Sequence, residues 1–308
     1  MSVLSALHGA TSTVLSNLFV RLPIPEATPD LSQQTIIVTG ANTGLGLETS
    51  RHLLRLGVGK LIMAVRSPAK GDAAKHDLLA TTGRDPTTIE VWPLDMSSYD
   101  SVKAFAARAS SQLTRLDGVL ANAGIMTRQF VLSPETGHES TLTVNVISTF
   151  LLCLLLLPKL RDTHRQTGRA PRFVIPNSAL HYLAPLGELT ADNGSIIARL
   201  DDPAKADMAG RYPLSKLLVL YAVRELADRC RGAAAEGGAG AGVIINTPNP
   251  SYCVSGLGKE VDGGAGVKVA ERLLARTTEE GARTLYHGLV VAGEESHGQY
   301  LTNCHVQT

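Results

Sequence analysis

The sequence has few cysteines, few aromatic residues and almost no net charge, and each shortage excludes a class of protein. The four cysteines among 308 residues are widely spaced and form no C-x-x-C pair, which argues against a disulfide framework or a zinc site. Aromatic residues make up 4% of the chain, too few for platforms that stack single-stranded nucleic acid. The 29 Lys and Arg nearly cancel the 28 Asp and Glu, so no basic field attracts nucleic acid. We therefore expect a cytoplasmic protein that binds neither nucleic acid nor metal.

Long hydrophobic runs of membrane-spanning length are also missing. Residues 3–22 carry leucines at helical spacing, but polar residues interrupt them and no basic segment precedes them, so neither a signal peptide nor a spanning helix is expected. We interpret this segment as an amphipathic extension packed on the domain or on a twin subunit. The alternatives are a membrane-surface contact or a lid over the substrate. A second apolar stretch, 144–157, contains Asn145 and Ser148 and stops at Pro158, which is typical of a buried helix.

The remaining sequence alternates short β-branched runs with longer amphipathic stretches. With 44% hydrophobic and 19% charged residues, the composition is that of a globular protein. Strands are predicted at 35–39, 60–65, 89–93, 119–122, 173–175 and 242–246, and helices at 44–56, 98–112, about 140–160 and 213–231. This alternation predicts one α/β domain of the Rossmann type, a doubly wound parallel sheet. We assign residues 32–308 to this domain and 1–31 to an N-terminal helical extension.

A glycine-rich turn lies between the first predicted strand and helix. Its sequence, T-G-A-N-T-G-L-G at 39–46, lets the backbone approach a pyrophosphate closely, and the helix N-terminus adds free N–H groups. The spacing is G-x-x-x-G-x-G, so taken alone a plain tight turn would also explain it. We predict a dinucleotide site formed by Gly40, Asn42, Thr43, Gly44, Leu45 and Gly46.

The end of the second strand predicts which dinucleotide is bound. An acidic residue at this place accepts a hydrogen bond from the ribose of NAD, whereas an arginine accommodates the 2′-phosphate of NADP. Here the strand ends in Arg66, Lys70 follows, and no Asp or Glu stands between them. A solvated surface pair would look the same, but beside the glycine-rich turn these two residues favour NADP(H).

A candidate catalytic pair occurs in the segment Y-P-L-S-K at 212–216. Pro213 suits a first helical turn, so Tyr212 and Lys216 share one helix face. A free tyrosine titrates near pH 10, and a nearby ammonium is expected to lower its pKa into the range useful for acid–base work.

Together with further motifs, these segments resemble the short-chain dehydrogenase/reductase family from about residue 33 to residue 304. The additional motifs are Leu94-Asp95-Met96, Asn122-Ala123-Gly124, Asn145, Ser178 and Asn249-Pro250. The amino-acid sequences of residues 40–48 and 66–71 look most like those of the retinol-dehydrogenase-like branch. Residues 202–205 and 293–298 look like reductases that serve fungal secondary-metabolite pathways.

The resemblance implies a role for each matching position. Tyr212 would exchange a proton with the substrate oxygen, Ser178 would hydrogen-bond that oxygen, and Asn145 would position a helix and a relay water. Lys216 would bind the nicotinamide ribose and depress the pKa of the tyrosine. Further cofactor contacts would come from Asp95, Met96, Asn122, Ala123, Gly124, Pro250, Ser251 and Ser255.

Four residues, in three segments, depart from the family pattern. Pro176-Asn177 replaces the usual Val-Ser before the catalytic serine, and a proline there must end or bend the strand. Ser251 replaces a glycine that allows close approach to the nicotinamide, and Ser255 stands where a threonine often binds the carboxamide. Substrate loops are expected at about 185–211 and 251–268, where apolar residues suggest a bulky, mostly apolar substrate.

We therefore expect an NADPH-dependent reductase that interconverts carbonyl and alcohol groups, in secondary metabolism. The alternative is a nucleotide-binding relative with a non-redox role, as a pericyclase, cyclase or binding partner; Pro176 and Ser251 motivate it.

The run 150–157 is apolar on every face and needs other protein layers packed against it on both sides. A homodimer is favoured over a monomer, and the N-terminal extension is the competing cover.

Overall fold

The protein, seen in a computed structural model, is built around one eight-stranded sheet. The structure describes residues 3–26, 30–189, 195–235, 242–254, 256–258 and 274–307. The strands are β1 (Thr35–Thr39), β2 (Lys60–Val65), β3 (Ile89–Pro93), β4 (Gly118–Leu120), β5 (Arg172–Val174), β6 (Ile244–Asn249), β7 (Tyr300–Thr302) and β8 (His305–Val306). Their order is β3-β2-β1-β4-β5-β6-β7-β8. All neighbours pair parallel except β7 and β8.

Helices cover both faces of the sheet. They are α1 (Val3–Phe19), α2 (Gly44–Arg55), α3 (Pro68–Thr82), α4 (Tyr99–Gln112), α5 (Ser140–Leu142), α6 (Ser148–Thr167), α7 (Ile196–Leu200), α8 (Arg211–Ala235) and α9 (Thr278–Tyr286). Alternate residues of β1 point to opposite faces, as the strand period requires. Ile37 packs in the core with α4, α6 and α8, whereas Ile36 and Val38 pack with α2, α3 and α9. The predicted Rossmann-type fold is confirmed.

The strand order indicates where a ligand-binding site lies. It reverses between β1 and β4, and in open α/β sheets ligands bind beyond the carboxyl ends of the strands at such a point. The glycine-rich turn follows β1, and Asn122 comes shortly after β4. The two segments therefore meet at the switch point.

Two elements continue through a proline and end later than predicted. The helix predicted at about 140–160 runs through Pro158 to Thr167. Pro158 leaves the carbonyl of Leu154 without a helical donor, but Leu154 is 53% exposed, so water can replace the donor. Likewise β6 runs on through Pro248 to Asn249, and the Pro248 carbonyl accepts from the backbone N–H of Asn177 at 2.8 Å.

The apolar helix is mostly a core element. Among the described residues, one helical run, Ser140–Thr167, is long and apolar enough to cross a membrane, and 61% of its most apolar window is buried inside the protein. It is therefore packed as the central helix of a globular domain would be. Leu154 and Leu155 on its outer side remain exposed, as does Tyr221 on α8.

The N-terminal helix α1 lies on its own domain, at the carboxyl edge of β6 and β7. It packs against the short 3-10 helix Ala179–Leu183. The Asn17 side chain donates to the carbonyls of Tyr252 (2.8 Å) and Leu274 (2.7 Å). Arg276 Nη2 donates to the Ser16 carbonyl at 2.9 Å. The extension leaves Leu154 on the outer face of α6 exposed. It therefore does not pack over that face, as the alternative to a dimer required.

Candidate active site

The glycine-rich turn needs glycine at three positions. Gly40 and Gly44 have positive φ angles of 62° and 59°, a region that side chains with a Cβ rarely adopt. A Cβ on Gly46 would lie 2.6 Å from both Asn122 Nδ2 and the Gly40 carbonyl oxygen. Helix α2 begins at Gly44, so its free N–H groups border the turn. The turn has the shape and polarity that a pyrophosphate requires.

The segment after β4 is tied to this turn. Asn122 Nδ2 donates to the Thr39 carbonyl at 3.1 Å, and the Ala123 N–H donates to Thr39 Oγ1 at 2.8 Å. Gly124 follows, and a Cβ there would lie 3.2 Å from Asn145 Oδ1. These bonds hold Asn122–Gly124 beside the glycine-rich turn.

The residues expected at the adenosine end lie at the same edge of the sheet. Arg66 follows β2 and Lys70 lies in the first turn of α3, and both are exposed. Asp95 follows β3, where its Oδ1 accepts from the Ser97 N–H at 2.9 Å and from Ser97 Oγ at 2.6 Å. Met96 is buried. Because β2 and β3 are parallel neighbours, the cationic pair and the Asp95 turn emerge side by side.

Asn145 links the cofactor side to the catalytic helix. It lies in a π-helical turn, Thr143–Ile147, between α5 and α6, a feature often found at functional sites. Its Oδ1 accepts from the Ile125 N–H, and its Nδ2 donates to the Ile125 carbonyl, both at 2.9 Å. Nδ2 also donates to Ser215 Oγ at 3.1 Å. The bonds made by this amide join the segment after β4 to α8.

The other three predicted catalytic residues also converge. Tyr212 and Lys216 are 7% and 9% exposed, and the Tyr212 and Ser178 side chains share a hydrogen bond. Lys216 Nζ lies 5.6 Å from the centre of the Tyr212 ring and donates to the Pro176 carbonyl at 2.8 Å. Pro176, the departure from the family pattern, therefore keeps its carbonyl available to the lysine.

Burial dominates the ionisation of this pair. It raises the pKa of Tyr212 well above the usual value, although the hydrogen bond with Ser178 opposes this. Burial also lowers the pKa of Lys216 to about 8. The lowered tyrosine pKa expected from the sequence is thus opposite to what burial produces, because desolvation disfavours both charged forms. At neutral pH the phenol is protonated, so its O–H is available as a proton donor.

The turn after β6 stores backbone strain. Ser251 has φ 66°, where a residue with a Cβ costs about 1–2 kcal/mol relative to glycine. Its N–H donates to Asn249 Oδ1 at 2.9 Å, which holds the turn closed. Pro250 precedes it, and Ser255, the expected carboxamide contact, lies outside the described residues.

The expected substrate loops carry exposed apolar side chains. In the described parts of 185–211 lie the 3-10 helix Leu186–Leu189 and α7, and Arg211 is already the first residue of α8. Most of 251–268 lies outside the described residues. The exposed apolar residues around the catalytic edge are Leu180, Leu183, Leu186, Ile196, Ile197, Tyr252, Val254 and Leu257.

A polar crevice adjoins the same edge, under α1. The residues that line it carry hydroxyl or amide groups, with one alanine: Ser12, Thr13, Ser16, Ala179, Tyr182, Asn249, Ser251, Tyr300, Thr302 and Gln307. The N-terminal extension therefore forms part of the wall beside the turn that holds Ser251.

Two residues that the motifs contain, but to which sequence reasoning gave no role, hold the site together. Thr39 Oγ1 accepts from the Ala123 N–H. Ser215 Oγ donates to the Tyr212 carbonyl at 2.8 Å while it accepts from Asn145. Their place inside the two motifs was the available signal. Within the described residues, no three His, Cys, Asp or Glu side chains are grouped to hold a metal ion.

Comparisons with known proteins identify the family of the chain. The short chain dehydrogenase family model matches residues 34–170. The chain is 43% identical to the short chain dehydrogenase/reductase dmxR8 of Cryptosporiopsis sp., over 95% of this chain and 87% of that protein. It is 42% identical to the short-chain dehydrogenase anuD of Penicillium roqueforti, over 98% of this chain and 77% of the relative.

Solved structures share the fold at lower identity. The Pseudomonas aeruginosa RhlG/NADP complex superposes with a TM-score of 0.64 at 21% identity, covering 88% of this chain and 95% of that chain. A short chain dehydrogenase from Shigella flexneri gives a TM-score of 0.63 at 19% identity, with 92% and 94% covered. With relatives above 40% identity along nearly its whole length, the chain belongs to the short-chain dehydrogenase/reductase family of oxidoreductases.

Proposed function

We propose that the protein is an NADPH-dependent reductase that interconverts a carbonyl and an alcohol on a bulky, mostly apolar molecule. The observation that carries the proposal is the convergence of Ser178, Tyr212 and Lys216 on one side of a dinucleotide cradle bordered by Arg66. The phenol is buried beside Ser178 and is protonated at neutral pH, so it holds a proton that a substrate oxygen can take in the direction of reduction.

The residues present fit NADP(H). The cradle at Gly46 leaves no room for a Cβ, so the backbone there can approach a pyrophosphate. Arg66 and Lys70 are exposed beside it, where a guanidinium can bind a 2′-phosphate with two parallel hydrogen bonds. Asp95, Met96 and residues 122–124 stand in place to hold the adenosine half. Pro250 and Ser251 stand after β6, at the nicotinamide end.

The catalytic residues would act on the substrate oxygen. Bound NADPH supplies the hydride. Ser178 hydrogen-bonds the carbonyl oxygen and Tyr212 gives it a proton as negative charge develops there. Lys216 Nζ lies 5.6 Å from the centre of the Tyr212 ring, and Asn145 fixes the π-helical turn that precedes α6 to α8 through Ser215. In alcohol oxidation, the same groups act in the reverse order.

The Arg66→Ala variant tests the choice of cofactor. We expect NADPH to bind about 10–100-fold more weakly, because a charge-assisted hydrogen bond contributes about 1.5–3 kcal/mol, while NADH binding stays within about twofold. Both dissociation constants are measured by titrating the protein fluorescence. Arg165→Ala, an exposed arginine on α6, is the matched control. Tighter binding of NADH than NADPH by the unchanged protein would contradict the assignment.

The substrate class rests on the exposed apolar residues of the loops. Leucine, isoleucine and valine side chains around the catalytic edge suit a bulky apolar ligand, since burying them stabilises the complex. Both relatives named above are short-chain dehydrogenases of fungi. With the resemblance of residues 202–205 and 293–298, this supports a role in secondary metabolism. We place the activity in the cytoplasm.

A nucleotide-binding protein without redox turnover is the alternative function. The strained Ser251 narrows the space beside the nicotinamide relative to glycine, and this observation favours the alternative. The hydrogen bond between Ser178 and Tyr212 favours the redox function, since a non-redox pericyclase or cyclase does not require that proton donor.

We also propose that two copies pair through α6 and α8. Leu154, Leu155 and Tyr221 form exposed apolar surface there, and the N-terminal helix does not cover it. A two-fold contact would bury this surface against itself. Light scattering at micromolar concentration should give twice the mass of the chain, and the single mass would contradict the pairing.

A further inference from the structure

A buried cluster of three charged side chains lies directly beside the catalytic tyrosine. Arg211 is 1% exposed, and Glu139 and Glu188 are 0% and 5% exposed. Arg211 Nη1 lies 3.3 Å from Glu139 Oε2, and Nη2 lies 3.6 Å from Glu188 Oε1. Nη1 also donates to the Leu200 carbonyl at 2.8 Å. A guanidinium without access to water is thus held between two carboxylates, one residue before Tyr212.

Glu139 connects this cluster to the helix turn that bears Asn145. It is the N-cap of α5, where its Oε1 accepts from the Thr141 N–H at 2.8 Å and its Oε2 from the Leu142 N–H at 3.0 Å. The π-helical turn with Asn145 follows α5 without a break. The carboxylate that begins this helix is therefore the one that Arg211 binds.

The other two contacts connect the cluster to the substrate loop. Leu200 is the last residue of α7, and Glu188 lies in the 3-10 helix Leu186–Leu189. Glu188 Oε1 also accepts from the Asp207 N–H at 3.0 Å. Two separate points of the segment 185–211, Glu188 and the Leu200 carbonyl, thus meet at one guanidinium, and a third, Asp207, is joined to it through Glu188.

We propose that Arg211 is a positioning residue for the reaction. It fixes Tyr212 at the start of α8, the Asn145 turn through Glu139, and the substrate loop through Glu188 and the Leu200 carbonyl, all in one geometry. Nη1 donates to Glu139 and to the Leu200 carbonyl, while Nη2 faces Glu188 as an ion pair. The single ammonium of a lysine has no second nitrogen with which to reach Glu188. The inference rests on the reductase function proposed above.

Arg211→Met and Arg211→Lys test this role. A displacement near 1 Å in a catalytic group can cost about 100-fold in rate, so we expect Arg211→Met to lower kcat by about 10–100-fold with a smaller change in KM. The dissociation constant of NADPH should stay within about twofold, since Arg211 contacts Glu139, Glu188 and the Leu200 carbonyl rather than the cradle residues. Arg211→Lys keeps the positive charge but lacks the planar set of guanidinium N–H donors, so it should give an intermediate kcat.

The matched control is Arg51→Met. Arg51 is also a buried arginine, 9% exposed, held by Glu48 and Asp77 on α2 and α3, away from the catalytic residues. The Arg51→Met variant should have a lower melting temperature, as Arg211→Met should, but an unchanged kcat. Rates are measured with NADPH and a panel of bulky ketones that includes acetonaphthone, well below each melting temperature.

Hydrogen exchange provides a readout that needs no turnover. In Arg211→Met, amides in 140–147 and 195–210 should exchange faster, and those of β1 and β2 should not. If the unchanged protein reduces no ketone, the proposed function fails, and the exchange pattern still decides whether Arg211 positions these segments. A folded Arg211→Met with normal kcat and normal exchange overturns the inference, as does a kcat loss equal to that of Arg51→Met. If Arg211→Met does not fold, Arg211→Lys is judged by the same criteria.

Discussion

Replacing Tyr212 by phenylalanine should lower kcat by about 10²–10⁴-fold, the usual contribution of a positioned acid–base group. The phenol is buried beside Ser178, and burial raises its pKa, so it carries a proton at neutral pH that the substrate oxygen can take. Phenylalanine fills the same space but has no proton to give. Turnover with NADPH and bulky ketones is the measurement, with NADPH binding unchanged.

Tyr99→Phe is the matched control for this substitution. Tyr99 begins α4 and is half-buried, so its loss of a hydroxyl should leave kcat within about twofold. Equal turnover by Tyr212→Phe and the unchanged protein would show that Tyr212 is not the proton donor.

Replacing Lys216 by methionine should lower activity and raise stability together. The pKa of Lys216 falls from 10.5 to about 8 because of burial, so folding is opposed by the charged lysine. A shift of this size corresponds to about 3 kcal/mol. Loss of the hydrogen bond to the Pro176 carbonyl offsets about 1 kcal/mol. We therefore expect Lys216→Met to have a free energy of unfolding about 1–2 kcal/mol larger than that of the unchanged protein at neutral pH. Its kcat should be at least about 100-fold lower.

The stability cost of burying Lys216 depends on pH. Below pH 8 the lysine is charged in both the folded and the unfolded chain, and the cost of its burial is present in full. Between pH 8 and 10.5 the unfolded chain binds more protons, so stability rises with pH; above 10.5 the cost is gone. Denaturant unfolding at several pH values should show the advantage of Lys216→Met shrinking across this range. A variant less stable than the unchanged protein at neutral pH would contradict the account.

The strands and turns that depend on local pattern were predictable. β1, β2 and β3 have the bounds that their buried runs predict, and the glycine-rich turn falls between β1 and α2. The short strands β7 and β8 and helix α3 were not predicted, because two- or three-residue strands and the sequence of α3 carry little periodicity. Helix α9 was also not predicted, although its Thr277/Glu280 capping box is a sequence signal for a helix start. Their structure depends on the neighbours against which they pack.

Helix α6 and strand β6 extend past their predicted ends, through Pro158 and Pro248, for a related reason. A proline ends a helix or strand only when its missing hydrogen bond cannot be replaced, and exposure at Leu154 is a tertiary property. The start of α8 at Arg211 rather than Pro213 has a similar origin, since Arg211 is held by residues far away in the chain.

The candidate site was predictable as a set of groups, but not in its ionisation. Motif spacing named Asn145, Ser178, Tyr212 and Lys216. Asn145 is linked to the Tyr212 backbone through Ser215, Tyr212 and Ser178 share a hydrogen bond, and Lys216 Nζ lies 5.6 Å from the centre of the Tyr212 ring. The pKa directions depend on burial, which adjacent sequence does not reveal. The Arg211 cluster was missed because its partners are 72 residues (Glu139) and 11 residues (Leu200) away.

One measurement tests the redox function most directly. A single turnover is run with NADPH deuterated at the transferred position, a panel of bulky apolar ketones and excess enzyme. The account predicts an alcohol that carries one deuterium on its carbinol carbon for each NADPH consumed, at a rate lost in Tyr212→Phe. Product that forms without consumption of NADPH would contradict it and support the non-redox alternative. A deuterated alcohol formed at the same rate in Tyr212→Phe would contradict the role of Tyr212 as proton donor.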